Sequence, residues 1–170
     1  MKTWSKICST WAILRIVWKA RRPSTTGNMK AVVNSTWVKQ GYEALTFFGT
    51  ILTSTFQEAD AMNKKMTALK NHEMIHLSQA INCGDSWWKF YRLYLHYWLQ
   101  GWRHRKLFPN AGYRLNPFEM EAYRHMHDLS YTDNCGKEGA SEWRQYAKLN
   151  VNERIDYYEN RHYNRTARDA

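Results

Sequence analysis

A mainly helical α+β fold, with a small antiparallel sheet beside a central helix, follows from three features of this sequence. Met62, Met66, Leu69 and Ile75 recur at helical spacing, as do apolar residues farther along the chain. β-branched and aromatic residues cluster instead between residues 30 and 55, around Gly49. The chain has 170 residues, 44% of them hydrophobic, enough for one domain with a true core. Nine Trp, eleven Tyr and six Phe raise the aromatic share to 15%, which predicts a Trp-rich core or a surface adapted to a membrane.

Along the chain, Trp4, Ile7, Trp11, Leu14 and Trp18 mark a helix face, although Ile13, Ile16 and Val17 lie off it. Arg21 to Asn28 is rich in turn residues and reads as a loop. The expected organisation is a basic, Trp-rich segment over 1–28, a single domain over 29–165 and a polar tail over 166–170. Of the net charge of +10, residues 1–42 carry +8, because they hold eight basic residues and no acidic one. That segment reads as a solvated arm or as a contact for anionic lipid or nucleic acid.

Residues 30–38 look extended, and Glu43–Phe48 and Thr50–Thr55 read as strands, kinked or bulged at Gly49. Asp60 is expected to cap a helix running to about Ile81, with Gly84 just past its end. Asp85 or Ser86 opens another, Trp87 to about Lys106. Ten of the thirteen residues from Trp87 to Leu99 are apolar or aromatic; Lys89, Arg92 and His96 form one narrow stripe. Such a helix is expected to be buried on most sides or else to lie at a membrane interface. After a break at Pro109–Gly112, Asn116 and Pro117 read as an N-cap and first-turn proline of a helix to about Ser130. Polar helices near 141–147 and 152–163 complete the chain.

Cys8, Cys83 and Cys135 form no CxxC pair, which argues against a disulfide scaffold or a Cys-ligated metal. Arg15 interrupts the N-terminal apolar run, and Arg21-Arg22-Pro23 stands where a small-residue cleavage site would follow. No run approaches the roughly eighteen uncharged apolar residues of a membrane span. Neither secretion by this route nor a membrane span is expected. The expected location is the cytoplasm, with peripheral membrane association as an option.

The chemistry is carried by His72-Glu73-Met74-Ile75-His76. Residues four apart share a helix face, so both imidazoles can bind one Zn²⁺ while Glu73 reaches a water on that ion. The metal lowers the water's pKa and the carboxylate takes its proton. Apolar Met74, Ile75 and Leu77 place the two histidines on a buried helix, where ionisable groups need partners. A catalytic zinc needs a third protein ligand, and the best carboxylates are Glu119 and Glu121, on a second helix.

A HExxH helix followed by a helix carrying a Glu ligand resembles the gluzincin zinc metallopeptidases. The stretches Lys70–Gln79 and Phe118-Glu-Met-Glu-Ala-Tyr123 are most similar to small uncharacterised bacterial proteins with HExxH and a later FExEAY. Tyr42–Ile51 is similar too, so the resemblance spans about residues 42–131. It implies a minimal zincin-like domain with His72, His76 and a glutamate as zinc ligands. Many gluzincins place the ligand three residues before an Ala and four before an Asp or Asn. That spacing favours Glu119, with Ala122 matching and Tyr123 departing from the pattern. Others place Ala directly after the ligand, which selects Glu121. Glu119 can also close a capping box with Asn116, and Glu121 then becomes the ligand. Tyr123 in place of a carboxylate or amide removes a charged acceptor for a ligand histidine; Asp128 or the unused glutamate can serve instead.

The expected function is therefore a zinc-dependent peptidase, with Glu73 as general base passing the proton on to the leaving amine, and a peptide or protein as substrate. Tyr123, His125, His127 and Tyr131 are candidates for stabilising the oxyanion. Strands near 43–55 can offer an edge to an extended peptide. The alternative is a non-catalytic zinc-stabilised domain that binds a membrane surface or partner protein through its basic aromatic N-terminus. A nucleic-acid partner is disfavoured. No nucleophile elbow, phosphate-binding loop or dinucleotide fingerprint is present.

Overall fold

The computed structural model describes Pro23, residues 29–34, Val38 and residues 44–166, with side chains through residue 160. The expected N-terminal helix face, the 21–28 loop apart from Pro23, and the 167–170 end of the tail lie outside these residues. The fold is α+β and mainly helical, as expected.

Three short strands, β1 (Lys30–Val33), β2 (Ala44–Phe47) and β3 (Thr50–Thr53), form a sheet in the order β1-β3-β2. β2 and β3 pair antiparallel, but β1 runs parallel to β3, so the sheet is mixed rather than antiparallel. The chain between this parallel pair, residues 34–49, includes β2 and has the length that a parallel connection requires. Gly49 marks neither kink nor bulge. It is the second residue of a two-residue hairpin in which Phe48 and Gly49 both have positive φ, 46° and 80°. A phenylalanine there is strained. Its buried ring packs against Trp87 and Tyr91, and its N–H donates to the Tyr91 hydroxyl (3.0 Å).

The helix expected from Asp60 to Ile81 is two helices, α1 (Phe56–Lys64) and α2 (Ala68–Asn82). Two threonines decide this. Thr55 and Glu58 form a reciprocal capping box, and Thr67 accepts a hydrogen bond from the Lys70 N–H to start α2. Lys65 is extended, and Met66, expected on the buried side, is exposed in the break. The Asn63 side chain of α1 pairs with both backbone groups of Ala31 (3.0 and 2.9 Å), covering the outer edge of β1.

Ser86 caps α3 (Trp87–Trp102), which ends before Lys106. Only Trp87, Phe90 and Gly101 of α3 are buried, so the expected burial on most sides is incorrect. Short α4 (Ala111–Arg114) leads to α5 (Pro117–His125), capped by Asn116 with Pro117 in the first turn as expected. α5 stops short of Ser130, and the Asn71 side chain takes its terminal carbonyls. α6 (Tyr131–Asn134), a 3₁₀ turn (Gly136–Glu138), α7 (Trp143–Lys148) and α8 (Val151–Thr166) follow. The core is aromatic: Phe118 packs between Phe90 (4.9 Å) and Trp143 (4.5 Å), beside Trp87, Ile51 and Met62.

The loop after α6 closes on the back of α2, where the Ala140 N–H donates to Ser78 Oγ (2.9 Å). Gly139 has φ +73°, and a Cβ there would lie 2.1 Å from the Ser78 carbonyl oxygen; one at Gly136, φ +60°, would meet nothing within 4 Å. Gly136→Ala should therefore cost about 1 kcal/mol in denaturant unfolding. Gly139→Ala should cost about 3 kcal/mol, because backbone must also move.

Candidate metal centre

The second helix is unusual in burying its polar residues. Asn71, His72, Glu73, His76, Ser78 and Gln79 are all buried. Each therefore needs a partner, and most partners come from α5. The Asn71 amide donates to the His125, Met126 and Asp128 carbonyls (3.1, 3.0 and 2.9 Å) at the C-terminal end of α5. Eight residues on, the Gln79 amide donates to the Phe118 carbonyl (2.9 Å) and to Glu121 Oε2 (2.7 Å), near the start of α5. The two helices thus run antiparallel, clamped at both ends.

Between the clamps, Glu119 faces both histidines. His72 Nε2 and His76 Nε2 are 3.2 Å apart. Glu119 Oε2 lies 3.2 Å from His72 Nε2, and Oε1 lies 3.4 Å from His76 Nε2. A tetrahedral ion with bonds of about 2.0–2.1 Å holds its ligand atoms roughly 3.3–3.4 Å apart. The three side chains therefore stand at the separation a small metal ion imposes. They form the one group of this kind among the described residues. Glu119 Oε2 is buried without a hydrogen bond, despite its closeness to His72. Oε1 accepts from the Tyr94 hydroxyl (2.7 Å), which orients the carboxylate. Glu119 does not reach back to cap α5.

Glu121 points the other way. Buried completely, it accepts from Gln79, the Tyr131 hydroxyl and the Glu142 N–H, each at 2.7 Å. Its support for the histidines passes through Gln79, whose Oε1 accepts from His76 Nδ1 (2.8 Å). Because both Gln79 Nε2 contacts are acceptors, Oε1 must face His76; Nδ1 then holds the hydrogen and Nε2 keeps a lone pair for a metal. His72 has no such support. Its Nδ1 is buried and unpartnered, and the Tyr123 ring packs edge-on against it (4.6 Å). Tyr123 spends its hydroxyl on Tyr113 (3.0 Å), and Asp128 hydrogen-bonds Ser130 instead.

Electrostatics couple the group. Burial alone would lower the His76 pKa, but the adjacent Glu119 carboxylate outweighs it and raises the value to about 9. Burial would likewise raise that of Glu119, yet the two histidines hold it far below the usual carboxylate range. Without metal, the group is a buried imidazolium–carboxylate pair.

An open cleft of about 420 Å³ exposes this group, lined also by Glu73, Thr46, Tyr91, Tyr94, Trp98 and Tyr113. The Thr46 hydroxyl of β2 donates to Glu73 Oε2. Of the four expected oxyanion groups, only Tyr123 stays beside the histidines. His125 pairs with Glu142 (2.8 Å) and stacks on Tyr131, which is bound to Glu121, and His127 is exposed. Gln79, Tyr94 and Tyr113 were not singled out from sequence. Gln79 and Tyr94 had a detectable signal: Gln79 follows His76 by three residues on one helix face, and Phe90, Tyr94 and Trp98 share a face of α3. Tyr113 had none, since it stands in a four-residue helix after a loop.

Set against known proteins, the chain matches no family model, no curated protein and no solved structure.

Metal binding must displace the His76 proton. The apparent affinity for Zn²⁺, read by chelator competition, should rise about tenfold per pH unit between pH 7 and about 9, then level off. The pH dependence of the metal-free fold follows from the same shifts. The raised His76 value contributes stability that is complete below 6.5 and lost toward 9, and the depressed Glu119 value contributes stability lost as pH falls below 4.5. Thermal denaturation should therefore show a maximum between those two limits. Separately, Gln79→Leu should weaken zinc binding about 10–100-fold, through loss of the Nδ1 acceptor.

Proposed function

We propose that this protein is a zinc-dependent peptidase, a reading carried by the matched separations of His72, His76 and Glu119 at the wall of an open cleft that also holds Glu73. Structural zinc is generally closed by four protein ligands, whereas a three-ligand group leaves a position for water or substrate. Zinc suits two imidazoles and one carboxylate. When bound, it would supply an acidified water and polarise the substrate carbonyl.

The chain's own residues do the rest. Glu73 faces the cleft one position after His72, and Thr46 fixes its carboxylate through Oε2. From there it takes a proton from the attacking water and delivers it to the leaving amine. Tyr113 and Tyr123 share a hydrogen bond, and burial pushes both pKa values up, so both stay protonated. β2 is an edge strand of the sheet, and its Ala44, Leu45 and Thr46 line the cleft. An extended peptide can pair there. Tyr91 limits that pairing by donating to the Thr46 carbonyl (3.0 Å) while accepting from the Phe48 N–H.

One panel tests the reading: zinc content and turnover of a mixed peptide library. Glu73→Gln should retain zinc and lose about 10²–10⁴-fold in rate. His76→Ala should lose both metal and activity. Zinc-free protein after metal-replete purification, or equal turnover by Glu73→Gln, would overturn it.

A further inference from the structure

The helix α3 has two working faces. Phe90, Tyr91, Tyr94 and Trp98 turn inward and line the cleft. Beside that face, where Trp102 stacks on Trp98 (6.2 Å), Trp88, Leu95, Leu99 and Trp102 are 70%, 55%, 43% and 42% exposed, and Leu107 just beyond is 78% exposed. Together with Arg92, the positions 88, 92, 95, 99 and 102 alternate by four and three, so they form one continuous stripe along the helix. At sixteen residues the helix is roughly 24 Å long. Isolated exposed apolar residues need no explanation, but an aligned row of this length does.

Charge along the helix that carries the stripe is of one sign. No acidic residue occurs between Asp85 and Glu119, whereas Lys89, Arg92, Arg103, Arg105 and Lys106 are all exposed. The Arg105 guanidinium lies 3.7 Å over the Trp102 ring, which holds a cation at the edge of the apolar row. We propose that the outer face of α3 docks in the plane of an anionic lipid surface, its Trp and Leu side chains entering the headgroup boundary and its Lys and Arg meeting lipid phosphates.

Three considerations select lipid over other partners. An amphipathic helix with tryptophan near both ends of its apolar row and basic residues at its flanks is the arrangement that interfacial binding rewards. A second copy of this chain would bring the same cationic flanks together, which opposes self-pairing. Nucleic acid would use the cations but leave the exposed Trp and Leu side chains without a partner. None of the described helices is long and apolar enough to cross a membrane, so the contact is at the surface. This inference does not depend on peptidase activity.

The test is sedimentation of the full chain with vesicles of phosphatidylcholine alone or of phosphatidylcholine and phosphatidylglycerol at 3:1, with circular dichroism and zinc content followed for every variant. The expected result is binding at least about tenfold stronger to the anionic vesicles. A Trp88→Ser/Leu95→Ser/Leu99→Ser variant should lose about tenfold or more of that binding, with spectrum and zinc content unchanged. Arg92→Glu/Arg103→Glu should lose a similar factor and show a weaker salt dependence. Wild-type binding by the serine variant would place the contact elsewhere, including the basic N-terminal segment, and overturn the proposal. So would equal affinity for both vesicles, no vesicle binding at all, or sedimentation equilibrium showing a dimer that only the serine variant abolishes.

Discussion

Two buried side-chain amides, Asn71 and Gln79, set the relation between the helix that carries the histidines and the helix that carries the glutamate. Each donates to backbone carbonyls of the glutamate helix or its C-terminal turn, and Gln79 also to Glu121, so sliding one helix along the other would break several hydrogen bonds at once. The spacing of eight residues between the amides makes the constraint rotational as well as axial. Glu119 arrives opposite His72 and His76 because both ends of the helix pair are pinned. The aromatic core of Phe90, Phe118 and Trp143 presses the pair together from one side. It supplies much of the apolar burial, while the amides supply the register.

Within that frame the candidate metal centre is supported unequally. His76 is anchored through Gln79 to Glu121, a carboxylate that is itself held by three donors. His72 has a ring neighbour, Tyr123, and no acceptor for Nδ1. Tyr94 balances Glu119 by binding the oxygen that faces His76. The site thus couples α2, α3 and α5, and disturbing any one of them reaches the histidines. Its buried charges compensate each other, which limits the cost of keeping them from water.

The aromatic helix α3 joins two surfaces that the chain could have kept apart. Its inner side contributes both the Tyr94 contact to Glu119 and the Tyr91 contact to the β2 edge. Its outer side leaves a row of apolar residues in solvent. Composition alone could not separate these faces, because ten of the thirteen residues from Trp87 to Leu99 are apolar or aromatic. Which side faces inward was decided by α5 and the hairpin packing against it.

The HExxH spacing, a helix start at Asp85 or Ser86, the N-cap at Asn116 and the burial of the motif helix were legible in the residues, because each rests on periodicity or on local backbone chemistry. The hairpin turn at Phe48–Gly49 was not, since phenylalanine gives no signal for a positive φ. The helix break at Thr67 was legible in principle: Thr55 and Glu58 already spelled an earlier helix start than Asp60. The parallel pairing of β1 was not, since a strand's partner is chosen across intervening chain rather than by its own pattern. Nor was the choice between Glu119 and Glu121. The two stand two residues apart on one helix, about 200° around its axis, so they must face different neighbours. By itself, the sequence determined that two imidazoles share a helix face and that a carboxylate helix follows. Only the tertiary structure decided which carboxylate meets them, because that depends on how α5 is rotated by its hydrogen bonds to Asn71 and Gln79.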